Sequence, residues 1–166
     1  VQAALDSDHY RTPLEGPNVG RGVASGYWFN VGLQSSVSIN VNADGSVTLV
    51  EGSTDIGGTR ASIAMQAAEV LGLKAEEVRP IVADTASVGY NDVTGGSRTT
   101  FASGYAAIEA AQDVVRQMTE RAARIWKVEP PEVTFADGVF RHTNAADQRL
   151  TFKEVAAQLG RTGGPV

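Results

Sequence analysis

At 166 residues, 42% hydrophobic and 20% charged, the chain has the make-up of one globular domain with a sizeable core, not of a disordered or fibrous polypeptide. A net charge of −5 argues against a broad footprint for nucleic acid or anionic lipid and leaves local basic spots that could take one anion. The absence of cysteine excludes disulfides, thiolate zinc sites, a cysteine nucleophile and cysteine-held iron–sulfur clusters. No apolar run approaches a membrane span, and the N-terminus lacks the charged and apolar regions of a signal peptide. Without an initiator methionine and with an abrupt end at Val166, residues 1–166 are expected to be one domain of a longer polypeptide.

In chain order, Ala4 to Gly22 is turn-rich, because Pro13, Gly16 and Pro17 interrupt any regular element after one helical turn. A strand is expected over Val23–Val31. Ser36–Asn42 alternates cleanly, with Val37, Ile39 and Val41 on one face. It joins a strand at Ser46–Gly52 through Asp44-Gly45, a strong hairpin signal, so a hairpin or three-stranded meander is predicted. An amphipathic helix follows over Thr59–Leu73, with Ile63, Ala67, Val70 and Leu71 on one face and Gly72 as its stop. Glu76–Thr85 reads as a short strand that Pro80 places near an edge.

Ala86–Thr100 is a long polar loop of the kind that is usually functional or disordered. The strongest helix comes next, its stripe running through Phe101, Tyr105, Ile108, Ala111, Val115, Met118, Ala122 and Ile125. A second hairpin is expected around Asp137-Gly138, and a final short helix ends before Gly160. The order β-β-β-α-β-α-β-β-α suits an α+β fold, a mixed sheet with two main amphipathic helices on one side, more than a doubly wound one.

Two loops carry the chemistry. Thr94-Gly-Gly-Ser-Arg-Thr-Thr100 stands before a helix, where unpaired N–H groups and the positive dipole end attract an anion. Ser97, Thr99 and Thr100 add hydroxyls, and Arg98 could add a bidentate charge. The alternative is that Thr99 or Thr100 merely caps the helix. Gly52 to Ser62 repeats the build: strand, glycine turn, hydroxyls, arginine, helix. Two such loops describe a two-sided cradle for an extended phosphate-bearing ligand, against the alternative of two similar turns with no ligand.

Other signals are weaker. Gly20 to Gly26 resembles a dinucleotide fingerprint but precedes a strand, the wrong context. His9 and His142 lack metal-ligand spacing, and Asp84 and Asp92 are read as turn residues, with Asp55 bracing the first glycine turn. Tyr27, Trp28, Phe29 and Trp126 are read as core or interface aromatics. The starting residues of HExxH metalloproteases, Gly-x-Ser-x-Gly hydrolases and SxxK acylases are all missing.

The motif order "GRGVASG", "DGSVTLVEGSTDIGGTRASIAMQAAEVLGL" and "VADTASVGYNDVTGGSRTTFASGYAAIEAA" resembles the molybdopterin-binding region of the xanthine dehydrogenase, aldehyde oxidoreductase and carbon monoxide dehydrogenase large subunits. The resemblance covers nearly the whole chain, including "PPEVTFADGVFRH" and "TFKEVA". It implies a molybdenum hydroxylase, in which a water-derived oxygen enters a C–H bond of an aldehyde or N-heterocycle. It further implies a molybdopterin extended to a cytosine dinucleotide, iron–sulfur clusters and FAD on partner subunits, docking to the rest of the large subunit, and a cytoplasmic location with a periplasmic one left open. By position, Ile56, Gly57, Gly58 and Thr59 match the family's first cofactor loop, and Gly96, Ser97, Arg98 and Thr99 the second.

The departures are specific. Gly58 stands where the family usually has a glutamine beside the metal. The family's glutamate base, in a Gly-Glu-Pro-like context far downstream, and its upstream glycine-rich loop have no counterpart here. The chain alone is therefore expected to be inactive. The alternative is a non-catalytic phosphate- or nucleotide-binding or subunit-docking module.

Overall fold

Alternating β-branched residues build the first sheet, in a computed structural model that describes residues 1–82 and 84–166. β1 (Val37–Val41) and β2 (Val47–Glu51) pair antiparallel with Val41 opposite Val47. Asp44 closes their turn: its carboxylate accepts from the Ser46 N–H at 2.9 Å and the Ser46 hydroxyl at 2.7 Å. β2 then feeds α3 (Thr59–Leu71), and the chain returns as β3 (Val78–Val82) parallel to β2. Pro80 sits in β3 at the sheet's edge, where its missing N–H removes nothing from an interior ladder. Ala83, within the segment expected as a strand, lies outside the described residues.

α3 buries Ile63, Ala64, Ala67, Ala68 and Leu71 and stops at Gly72, which adopts the left-handed conformation of a helix C-cap. Against it packs α4 (Gly104–Trp126), which buries Ala107, Ala111, Val114, Met118 and Ala122. Alanines on both helices permit a close approach. Gly104 does the same at the mouth of α4, where a Cβ would lie 2.0 Å from the Gln66 side chain. The second sheet is antiparallel, β4 (Val133–Ala136), β5 (Val139–His142) and β6 (Ala145–Thr151), and leads into α5 (Phe152–Ala156) and α6 (Leu159–Thr162). Phe140, Phe152 and Val155 join the same core as Leu49, Ile63 and Met118. Short helical turns α1 (Gln2–Leu5) and α2 (Asp8–Arg11) lead the chain in.

The α+β expectation holds, with three differences. The strands divide between two sheets rather than one, because β6 adds to the second hairpin; its sequence Ala-Ala-Asp-Gln-Arg-Leu-Thr is mostly exposed and shows no apolar alternation. The strand expected over Val23–Val31 does not form. Residues 23–36 instead form a strap without regular secondary structure, and Tyr27, Trp28 and Phe29 are exposed, so the core half of the core-or-interface reading fails for them. The stripe assigned to α4 also slips: Phe101 and Tyr105 face solvent. That stripe recurs every seven residues, and a straight α-helix drifts about 20° per heptad against such a repeat. A π-helical turn over Thr99–Ser103 rotates the entry further.

Candidate functional site

The first loop grows from the end of β2. Glu51 is fully buried there, and its Oε2 accepts from the Ser53 N–H at 3.0 Å. Beyond it, Asp55 braces the turn as expected, accepting from the Arg60 N–H at 3.0 Å with the Arg60 guanidinium 3.5 Å away. Thr59 Oγ1 accepts from the Ile56 N–H at 3.1 Å, tying the turn to the first residue of α3. Gly57 and Gly58 both adopt positive φ (61° and 81°), and a Cβ at either would meet only open space. Their N–H groups donate to nothing among the described residues.

The second loop is shaped from behind by the strap. The Val31 N–H donates to the Gly96 carbonyl at 3.0 Å, and the Asn30 amide to the Ser97 carbonyl at 3.0 Å. Gly96 (φ 57°) is required by this contact, because a Cβ would fall 1.7 Å from Val31 Cγ2. The N–H groups of Gly96 and Ser97 also have no acceptor among the described residues.

Arg98 was expected to offer a bidentate charge to a ligand; its guanidinium instead faces the protein. The residue is fully buried and donates to the Asp92 carbonyl at 2.7 Å, the Gln34 carbonyl at 3.0 Å and the Ser35 hydroxyl. It therefore fastens the strap to the loop. Sequence reasoning missed this because the partners at 34 and 35 lie more than sixty residues away, between two segments read as strands.

The two loops meet. Thr54 and Thr94 hydroxyls lie 3.4 Å apart across them, and the Gln66 amide donates to the Thr100 carbonyl at 3.3 Å. Between them opens a cleft of about 430 Å³ lined by Ile56 and Thr59 of the first loop and by Thr94, Gly95 and residues 97–100 of the second. Thr99 is the telling residue. It is buried, its Oγ1 has no hydrogen-bond partner among the described residues, and it lines this cleft at the entrance to the longest helix. A buried hydroxyl left unpaired is costly, which singles out Thr99 among the residues that line the cleft. The donors offered here are amides and hydroxyls.

Below the cleft runs a hydroxyl chain that the sequence did not reveal. Ser53 and Ser103 hydroxyls are 3.0 Å apart, and Ser103 and Ser35 hydroxyls 3.3 Å, so Glu51 and Arg98 sit at its two ends. Burial pushes the Glu51 carboxyl up from its ordinary value, opposed by the Ser53 N–H and hydroxyl and by the Arg98 charge. A raised folded-state value means that the folded protein holds the proton more tightly than the unfolded chain. The associated stability is complete below the ordinary glutamate range and is lost as pH rises through the raised value. Glu51→Gln is accordingly expected to gain on the wild type as pH rises above the ordinary glutamate range, read as a stability difference that widens with pH in urea melts. A flat difference would show that Glu51 stays paired and charged.

The remaining candidates are structural. Asp84 and Asp92 accept from the N–H groups of Ala86 (3.1 Å) and Val93 (2.8 Å), as turn residues do. His142 Nδ1 accepts from the Asn144 N–H, and no cluster of potential metal-ligating side chains occurs among the described residues. Nor is any helix there long and apolar enough to cross a membrane.

The family described as the molybdopterin cofactor-binding domain matches residues 7–165. The chain is 30% identical over 148 residues to the aldehyde oxidoreductase molybdenum-binding subunit PaoC of Escherichia coli K12, covering 82% of this chain and 19% of that one. It is 27% identical over 128 residues to the gamma subunit of the 6-hydroxypseudooxynicotine dehydrogenase complex of Paenarthrobacter nicotinovorans, covering 76% and 16%. Among solved structures, CO dehydrogenase from Oligotropha carboxidovorans superposes with a TM-score of 0.70 at 26% identity, covering 76% of this chain and 16% of that one. The chain thus spans about a fifth of the length of the curated relatives it matches. With two loops of the expected build facing one cleft and a match over nearly its full length, the chain belongs to the molybdopterin cofactor-binding domain family.

Proposed function

We propose that the cleft holds the polar edge of a molybdopterin, in its cytosine dinucleotide form, between Ile56, Gly57, Gly58 and Thr59 on one side and Gly96, Ser97 and Thr99 on the other. Arg98 acts behind the second loop by fixing its shape. The domain serves an oxidoreductase that hydroxylates an aldehyde or N-heterocycle, with iron–sulfur clusters and FAD on partner subunits carrying electrons away. Bound there, the molybdenum–pterin group supplies the oxygen-insertion and two-electron chemistry. The chain's own residues supply placement: free N–H groups on left-handed backbone, hydroxyls, and the positive end of α4. The catalytic glutamate would come from elsewhere in the large subunit, consistent with the small share of the relatives' length that this chain spans.

One observation carries the reading: Thr99, buried with an unpaired hydroxyl, lines a cleft between two glycine loops in which the Gly57, Gly58, Gly96 and Ser97 N–H groups have no acceptor among the described residues. Thr99→Val tests it cleanly. The change keeps shape and removes the orphan hydroxyl, so stability should hold or rise by about 1 kcal/mol. Molybdenum and pterin content of the purified large subunit carrying the domain should fall in the same variant. Unchanged content at unchanged stability would remove Thr99 from the site, and a wild-type large subunit free of molybdenum and pterin would sink the assignment itself.

A further inference from the structure

The outer face of the second sheet carries positive charge that the chain does not pair. Strand alternation sends Phe140 and Leu150 toward the core, so the residues on either side of them face out. Two consecutive cross-strand pairs therefore share the outer face: Val139 opposite Thr151, and Arg141 opposite Arg149. These four residues and Glu154 of α5 line a hollow of about 250 Å³ that shares no residue with the two-loop cleft. Like charges placed directly opposite one another destabilise a sheet. Neither arginine forms a salt bridge among the described residues, although Asp147 lies two positions before Arg149 on β6. The Arg141 guanidinium reaches only the Ala136 carbonyl, at 3.4 Å, and that of Arg149 has no hydrogen-bond partner among the described residues.

Glu154 supplies the selectivity. Its Oε2 accepts from the Thr151 N–H at 2.8 Å and the Thr151 hydroxyl at 2.9 Å, and its Oε1 has no partner among the described residues. Those two bonds, and after them the Arg149 charge, hold the carboxyl below its ordinary value, so at neutral pH it only accepts.

We propose that this hollow binds a hydrogen phosphate ion, its oxygens held by the Arg141 and Arg149 guanidinium groups and its P–OH donating to the free Glu154 oxygen. Three features select the ligand. Guanidinium forks suit phosphate oxygens, and two of them against one carboxylate leave the hollow cationic in a chain of net charge −5. The volume lies below the roughly 300–1,000 Å³ of organic-ligand pockets, which favours a small ion over a nucleotide. A carboxylate repels an anion without a proton, such as sulfate, but accepts from one that carries a proton. The hollow thus separates two ions of like shape. None of this depends on the cofactor reading of the cleft.

The test titrates inorganic phosphate into the purified large subunit carrying the domain, by calorimetry at neutral pH and constant ionic strength, with sulfate in a parallel arm. Phosphate should bind a site whose affinity falls at least about tenfold in Arg141→Gln with Arg149→Gln. Both side chains are exposed and their facing charges are removed, so without phosphate this variant should melt at or above the wild type. Sulfate should bind the wild type at least about tenfold more weakly than phosphate. Glu154→Gln keeps the capping box with Thr151 and should close most of that gap, because an amide can donate to sulfate. Arg116→Gln removes an arginine already paired with Asp113 and Glu120 and should leave phosphate binding unchanged. Undiminished phosphate affinity in the double arginine variant, or an equal loss in Arg116→Gln, overturns the site. Sulfate bound to the wild type as tightly as phosphate overturns the role of Glu154 and with it the choice of ion.

Discussion

Arg98→Met is expected to destabilise the folded domain by about 3 kcal/mol or more, because two or more charge-assisted hydrogen bonds of about 1.5–3 kcal/mol each are lost and the carbonyls they served remain. The guanidinium reaches the Asp92 carbonyl on one side and the Gln34 carbonyl and Ser35 hydroxyl on the other, so one side chain joins two segments of the chain. Methionine keeps the length and removes the fork. Arg98→Lys should recover only part of the loss, since an ammonium cannot reproduce a planar fork with donors on both edges. The melting temperature should fall by roughly 10 °C, on the scale of about 2–4 °C per kcal/mol for a domain this size. Hydrogen exchange should quicken first in residues 30–36 and 91–97, the segments the arginine joins. Removing the arginine also takes away an attraction that offsets burial at Glu51, so Glu51→Gln should soften the effect and the two changes should not add. A loss under about 1 kcal/mol would show that the strap is held by its other bonds to the loop, those of Asn30, Val31, Gln34 and Ser36.

That arginine marks the boundary of what the sequence discloses. Local pattern suffices where the interaction is local. The Asp44-Gly45 turn, the α3 face and its Gly72 stop, and the two glycine loops all depend on residues a few positions apart, and each was readable. The α+β class followed from the order of those pieces. The strap was not readable, because its burial partners lie at 92–98 and its backbone pairs with loops rather than with a strand. An aromatic run such as Tyr27-Trp28-Phe29 has the composition of a strand whether or not a sheet edge is present to receive it. The reversal of Arg98 follows from the same gap: a loop arginine beside glycines looks ligand-facing until the segment that accepts its hydrogen bonds is placed. Thr99 was among the residues read for the second loop, but what sets it apart is an unpaired hydroxyl, and pairing is a property of the folded chain.

Gly72→Ala is the substitution with the largest expected effect, and Gly57→Ala is its internal control. Both glycines adopt the same φ of 61°, so both substitutions carry the cost of placing an L side chain in the left-handed region, about 1–2 kcal/mol. They differ in what the new Cβ meets. At Gly57 there is open space. At Gly72 the Cβ would lie 2.0 Å from the Gly138 nitrogen and 2.6 Å from the Asp137 carbonyl carbon, which are backbone atoms that cannot swing aside. The contact is reciprocal, since a Cβ on Gly138 would fall 2.5 Å from the Gly72 carbonyl oxygen. It joins the end of α3 to the β4–β5 turn, and so the half of the molecule bearing the loops to the second sheet. Relieving the clash means separating that turn from the helix end and disturbing Phe140 and its core neighbours. Gly72→Ala should therefore destabilise by about 4 kcal/mol or fail to accumulate as folded protein, while Gly57→Ala stays within about 2 kcal/mol. Equal losses at the two positions, measured by urea melts at one pH, would mean that only backbone conformation matters and that the two halves do not bear on each other at this point.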